Sequence, residues 1–192
     1  MRISLLAGAG ACLLAVAIAV PASAATPDDV TAEGTLGPAD RGSGAVTYDT
    51  AVAPEGAQLS VTITEEDGST VVALDVVGLL PDRGYAAHAH VKPCGATGAD
   101  AGPHFQNNPD PAARPDHPSS DPAYANPENE VWLDLHTDAD GDGQADAEVP
   151  FTLVPNRSPR SIVVHEAEHT ATDAGHAGTA GGRAACLTLP TS

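Results

Sequence analysis

Aromatic residues are scarce in this chain: two Phe, three Tyr and one Trp, 3% of 192 residues. A core built on packed rings is therefore ruled out, and Val, Leu, Ile and Ala must fill the interior. Positive charge is as scarce. Eight Lys and Arg stand against 26 Asp and Glu, for a formal net charge of −18. That balance argues against nucleic acid and anionic membrane surfaces as partners, and an anionic substrate can approach only through a local positive patch. Long apolar runs are missing after residue 24, so no later stretch approaches the roughly 20 residues of a transmembrane helix.

Residues 1–24 read as a secretory signal peptide. Arg2 is the lone charge before an apolar run, and Ala22-Ser23-Ala24 is an A-x-A cleavage site. A lipoprotein signal around Cys12 is disfavoured, because the apolar run continues past it. Cleavage removes Arg2 but no acid, which leaves the mature chain more acidic still. Of three cysteines only Cys94 and Cys186 then remain. An even pair in an exported chain reads as one disulfide. Closing a loop of roughly 90 residues is worth on the order of 4 kcal/mol.

Residues 25–44 are rich in Asp, Gly, Ala and Pro and read as a disordered tail or linker. One domain follows, over residues 45–190. Alternation predicts strands over 46–52, 58–65, 70–77, 84–91, 130–137, 147–154, 161–165 and 184–189, with Glu66-Asp67-Gly68-Ser69 as a hairpin turn. Two long irregular segments, 92–126 and 166–182, interrupt them, and loops of that length are usually functional or disordered. No helix is convincing. The expected fold is all-β: an eight-stranded antiparallel Greek-key sandwich or barrel with two long loops.

His88 and His90 stand two apart in a strand, so period-2 geometry points both rings to the same side. That suits two ligands of one metal, and equally a pair of surface histidines. His165 closes the apolar run Ile162-Val163-Val164, either as a satisfied core residue or as a ligand held by the sheet. His104 and His117 lie in the first long loop, where a solvated role is the simpler reading. His136, His169 and His176 show no spacing logic. Asp138-Ala139-Asp140-Gly141-Asp142 opens like a calcium loop, but Val149 stands where the terminal Glu belongs. The segment reads better as an acidic hairpin turn.

These groups, in this order, resemble the secreted bacterial form of the copper/zinc superoxide dismutase family over roughly residues 46–189. Gly84-Tyr85-Ala86-Ala87-His88-Ala89-His90 resembles the family's G-F-H-x-H strand, with Cys94 placed like its first disulfide cysteine. Gly102-Pro103-His104-Phe105-Gln106-Asn107 resembles the G-x-H-F-N-P segment, whose histidine bridges copper and zinc. The strand from Ser161 to Glu166 resembles S-V-V-V-H-E, and the stretch from Ala180 to Cys186 resembles A-G-G-R-L-A-C. The resemblance implies copper ligands His88, His90, His104 and His165, a Cys94–Cys186 bridge, and Arg183 as the cation that holds superoxide. It implies His104 as the ligand that handles protons.

The chain departs from that family at the zinc site. Only His117 follows His104 within the loop, as a possible zinc remnant. Where a histidine and an aspartate are due, the chain reads Tyr124-Ala125-Asn126-Pro127-Glu128-Asn129-Glu130. A four-ligand zinc site is therefore not assembled. The expectation is a copper-only variant in which Glu128 or Glu130 accepts the second nitrogen of His104. The expected activity is superoxide dismutation outside the cytoplasm. The alternative is a copper-buffering protein on the same scaffold.

Overall fold

A computed structural model describes residues 29–39, 42–114, 117–154 and 156–190. The signal segment of residues 1–24, with Cys12, lies outside them. Eleven short strands are formed among the described residues. They are β1 (Val30–Thr35), β2 (Gly37–Pro38), β3 (Ala45–Thr47), β4 (Gln58–Glu66), β5 (Ser69–Val77), β6 (Gly84–Tyr85), β7 (Ala87–His90), β8 (Leu135–His136), β9 (Gly143–Val149), β10 (Ser161–His165) and β11 (Arg183–Thr188). A 3-10 turn, Gly98–Ala101, is the helical element described.

β4 and β5 follow directly from their sequence. Leu59, Val61 and Ile63 alternate with polar residues and are buried, as are Val72, Leu74 and Val76 opposite. Their turn places Asp67 and Gly68 at φ 48° and 91°. Left-handed backbone at both central residues matches the twist of the flanking strands. One sheet runs β1-β4-β5-β9 and the other β2-β3-β11-β10-β7, with β6-β8 as a separate two-stranded ladder. The sheets form a sandwich and do not close into a barrel. Aliphatic residues fill the space between them, as the shortage of aromatics requires.

The structure corrects four readings of the sequence. Residues 30–35, within the stretch read as linker, form β1 and pair with β4 from Val30↔Ile63 to Thr35↔Gln58. Val30 and Ala32 lean on the core while Thr31, Glu33 and Thr35 are exposed, an alternation too weakly apolar to stand out. Eight strands become eleven, and one pairing, β2 with β3, is parallel. Pro38 has no N–H to give a ladder, which suits this two-residue strand at the sheet's edge. The run expected over 130–137 is a ladder only at β8. Upstream it follows β7 through single bonds such as Leu133 N–H to Ala87 O, 2.8 Å. The strand expected over 147–154 is displaced to β9, because Pro150 ends it and Ala145, Ala147 and Val149 supply its inward face.

The acidic segment is a turn. Asp138 Oδ1 accepts the backbone N–H groups of Asp140 and Asp142, at 2.9 and 3.0 Å. Gly141 has φ 85°, and a Cβ there would stand 2.1 Å from Leu79 O.

β7 and β10 are buried on both faces. Their inner residues, Ala87, Ala89, Ile162 and Val164, face the core. Their outer residues lie under the two long loops. Cys94 and Cys186, 92 positions apart in sequence, are bonded and pin the first loop to β11. Val163, Ala101, Tyr48 and both cysteines form a small second cluster there. Replacing both cysteines by alanine should cost about 2–5 kcal/mol in urea denaturation. A loss under 1 kcal/mol would mean that the loop holds its place without the bridge.

Candidate metal centre

Period-2 geometry places His88, His90, Val163 and His165 on the outer face of neighbouring strands, with Val163 opposite His88 and Ser161 opposite His90. An isolated bridge between His90 and His104 brings the first loop back over β7. The four histidines converge, one ring nitrogen from each lying within 4.8 Å of the others. His88 and His90 are fully buried and His165 is 4% exposed. Burial holds the imidazoles of His88 and His90 well below the ordinary histidine pKa. Burial, with the charges of His104 and Arg183 nearby, lowers His165 to about 3.

The hydrogen bonds decide which nitrogens face inward. His90 Nδ1 lies 2.9 Å from Gly102 O, a group that only accepts, so Nδ1 carries the proton and Nε2 the lone pair. His104 Nδ1 lies 2.8 Å from Glu130 Oε2, which leaves Nε2 as its lone-pair nitrogen. His165 Nε2 lies 3.4 Å from His90 Nε2. His88 Nε2 is bonded to Thr170 Oγ1 at 2.7 Å, while its buried Nδ1 makes no hydrogen bond within the protein. An all-imidazole donor set with an unpartnered buried nitrogen fits a borderline metal such as copper or zinc.

Arg183 reaches this site through a β-bulge. Strict alternation from Ala185 and Leu187 would turn its side chain to the core. The register slips between Val164 and His165, so that Arg183 rather than Ala184 stands opposite His165. Its Nη1 then donates to Gly98 O at 2.6 Å and its Nη2 to Gly102 O at 2.7 Å. Gly102 O thus serves both His90 and Arg183. Its φ is 74°, and a Cβ would stand 2.9 Å from Val91 Cγ2. Glycine is required there.

Of the two acids expected beside His104, Glu130 makes the contact. It is 2% exposed and also accepts from Gln106 Nε2 at 2.8 Å and Trp132 Nε1 at 2.7 Å. Glu128 is exposed on the preceding turn. His117 is exposed in the first loop, where its backbone pairs with Arg114, and it is not part of the cluster. Among the described residues, the four histidines are the one group of metal-type side chains placed to share an ion. Zinc on His104 Nδ1 would have to displace the bond to Glu130. Sequence reasoning did not find Trp132, Thr170 or Asp134. Trp132, the chain's single tryptophan, carries a ring 5.8 Å from that of His88.

Fold and site together define a β-sandwich protein with a four-histidine, metal-type centre braced by a disulfide. The chain belongs to the copper/zinc superoxide dismutase family, whose model matches residues 58–188. No curated protein matches the sequence. Among solved structures, the Cu/Zn superoxide dismutase from Brucella abortus is similar at 18% identity and a TM-score of 0.52, covering 85% of this chain and all of its own. The clock protein EA4 is similar at 18% identity and a TM-score of 0.50, covering 90% of this chain and all of its own. At that identity both report on the fold.

The buried neutral imidazoles have a consequence for stability. His88, His90 and His165 take up protons on unfolding at pH values below the ordinary histidine pKa of 6.5, and resist doing so when folded. The unfolded chain then binds more protons, so stability falls as pH falls. Metal-free protein should lose up to about 1.4 kcal/mol per pH unit for each of the three as pH drops from 6.5 towards 4. Denaturant midpoints across that range measure it. A flat profile would mean that the rings are not held neutral.

Proposed function

We propose that this chain is an exported, copper-dependent superoxide dismutase that works without zinc. The observation that carries the reading is the convergence of His88, His90, His104 and His165 beside a fixed Arg183. These four histidines would hold the copper. Copper, when bound, supplies the one-electron couple that dismutation needs: one superoxide gives up an electron and leaves as dioxygen, and another takes one and leaves, with two protons, as hydrogen peroxide.

The protein's own groups do the rest. Arg183 is half-buried, and two of its five N–H groups are spent on carbonyls. The others remain for an anion, and the charge sits where a surface of net −18 would otherwise repel one. His104 is 18% exposed and so reaches solvent. A proton held at its Nε2 makes an imidazolium that Glu130 stabilises from Nδ1, 2.8 Å away. Glu130, fixed by three donors, does for His104 what a second metal would do: it orients the ring and sets its tautomer. Export is supported by the Ala22-Ser23-Ala24 segment and by the disulfide. No helix among the described residues is long and apolar enough to cross a membrane.

The test is superoxide consumption by copper-loaded protein beside a His165→Ala control. Activity in the first alone is expected. Bound copper without activity would make the protein a copper holder. Arg183→Ala should slow turnover at least tenfold and leave copper bound, and an unchanged rate would remove Arg183 from the mechanism. The rate should fall as ionic strength rises. Loading with both metals should leave one copper and no zinc per chain. One tightly held zinc would overturn the copper-only reading.

A further inference from the structure

His88 is held in a way that the rest of the site does not explain. His90 and His104 each turn Nε2 towards the cluster, because a carbonyl and a carboxylate hold their Nδ1 protons. His88 is bound from the opposite side, at Nε2, by Thr170. Thr170 lies in the 166–182 loop and is 4% exposed. Its Oγ1 lies 2.7 Å from His88 Nε2 and 2.6 Å from Asp134 Oδ1, and its backbone N–H donates to Asp134 Oδ2 at 2.7 Å.

One proton count settles the direction of these bonds. A threonine hydroxyl has one hydrogen, and an ionised carboxylate can only accept. The hydroxyl proton therefore goes to Asp134. Thr170 Oγ1 is left to accept, and His88 must supply the other hydrogen from Nε2. Nδ1 is then the lone-pair nitrogen of His88, in agreement with its being buried and without a hydrogen-bond partner. Asp134 is itself exposed, so the chain of bonds runs from a buried ring to the surface through one side chain of the second loop.

We propose that Thr170 and Asp134 are a positioning pair that locks His88 in its Nε2–H tautomer and presents Nδ1 to the other three histidines. The purpose of the pair rests on the copper reading above; the tautomer does not. The hydrogen bonds of the pair reach the cluster through His88. The 166–182 loop thereby helps to build the metal site as well as covering it.

The test is the ring 15N spectrum of His88 in the full chain, purified metal-free, with copper affinity measured by chelator competition. Wild-type protein should show a protonated Nε2 and an unprotonated Nδ1, and adding Cu(I) should shift Nδ1. Thr170→Val keeps the branched shape and removes the hydroxyl. It should mix the two tautomers of His88 and weaken Cu(II) binding about 10–100-fold, as loss of such outer contacts generally does. His90 should keep its Nδ1–H, which marks an intact fold. Thr170→Ser should restore both readouts. Asp134→Ala releases the hydroxyl proton and should populate the Nδ1–H form. Wild-type His88 signals and affinity in Thr170→Val would overturn the pair, and wild-type signals in Asp134→Ala would remove Asp134 from it. A chain that binds no copper but keeps a Thr170-dependent Nε2–H would sink the copper reading and support the positioning. Copper bound with His88 protonated at Nδ1 would overturn the positioning alone.

Discussion

Four imidazoles within 4.8 Å of one another, largely out of water, impose a strict proton count. Burial denies charge to His88, His90 and His165, and each neutral ring carries one proton that must point somewhere. If the protons pointed inward, the site would be a set of mismatched donors. For three of the four rings the protein solves this from outside the sheet. Gly102 takes the proton of His90, Glu130 takes that of His104, and Thr170 takes that of His88. Those three acceptors lie in the loop after β7, in the approach to β8 and in the loop before β11. The site is thus as much a property of the irregular segments as of the strands that carry its rings.

That dependence explains why the loops are tied down. The Cys94–Cys186 bridge holds the first loop near Gly98 and Gly102, and their carbonyls fix Arg183. Arg183 would face the core without the bulge beside His165. One irregularity in one ladder therefore sets the fixed positive charge that, alone among the described residues, shares a carbonyl with the histidine cluster. In a chain with 26 acids, the place of that charge matters more than the net balance.

Much of the fold was legible from alternation. β4, β5 and β10 stand within a residue or so of where Leu59-Val61-Ile63, Val72-Leu74-Val76 and Ile162-Val163-Val164 put them. β1 was not legible, because Ala32 and Gly34 are too small to mark an inward face. The histidines could be read from spacing and from the family's segments. Glu130 could be narrowed only to one of two acids, since a carboxylate two residues away has the same chemistry and only burial separates them. Thr170 and Asp134 left no trace. They are 36 residues apart, and threonine and aspartate are ordinary in loops.

The amino-acid sequence by itself determined the all-β class, the aliphatic core and the disulfide pair, because each rests on side-chain type and local period, and it marked the four rings through their likeness to the family's segments. The tertiary structure decided which nitrogen of His88, His90 and His104 faces the centre, that Glu130 rather than Glu128 reaches His104, and that Arg183 turns away from the core. Those outcomes depend on contacts between segments distant in the chain, down to the single proton that Thr170 can give only once.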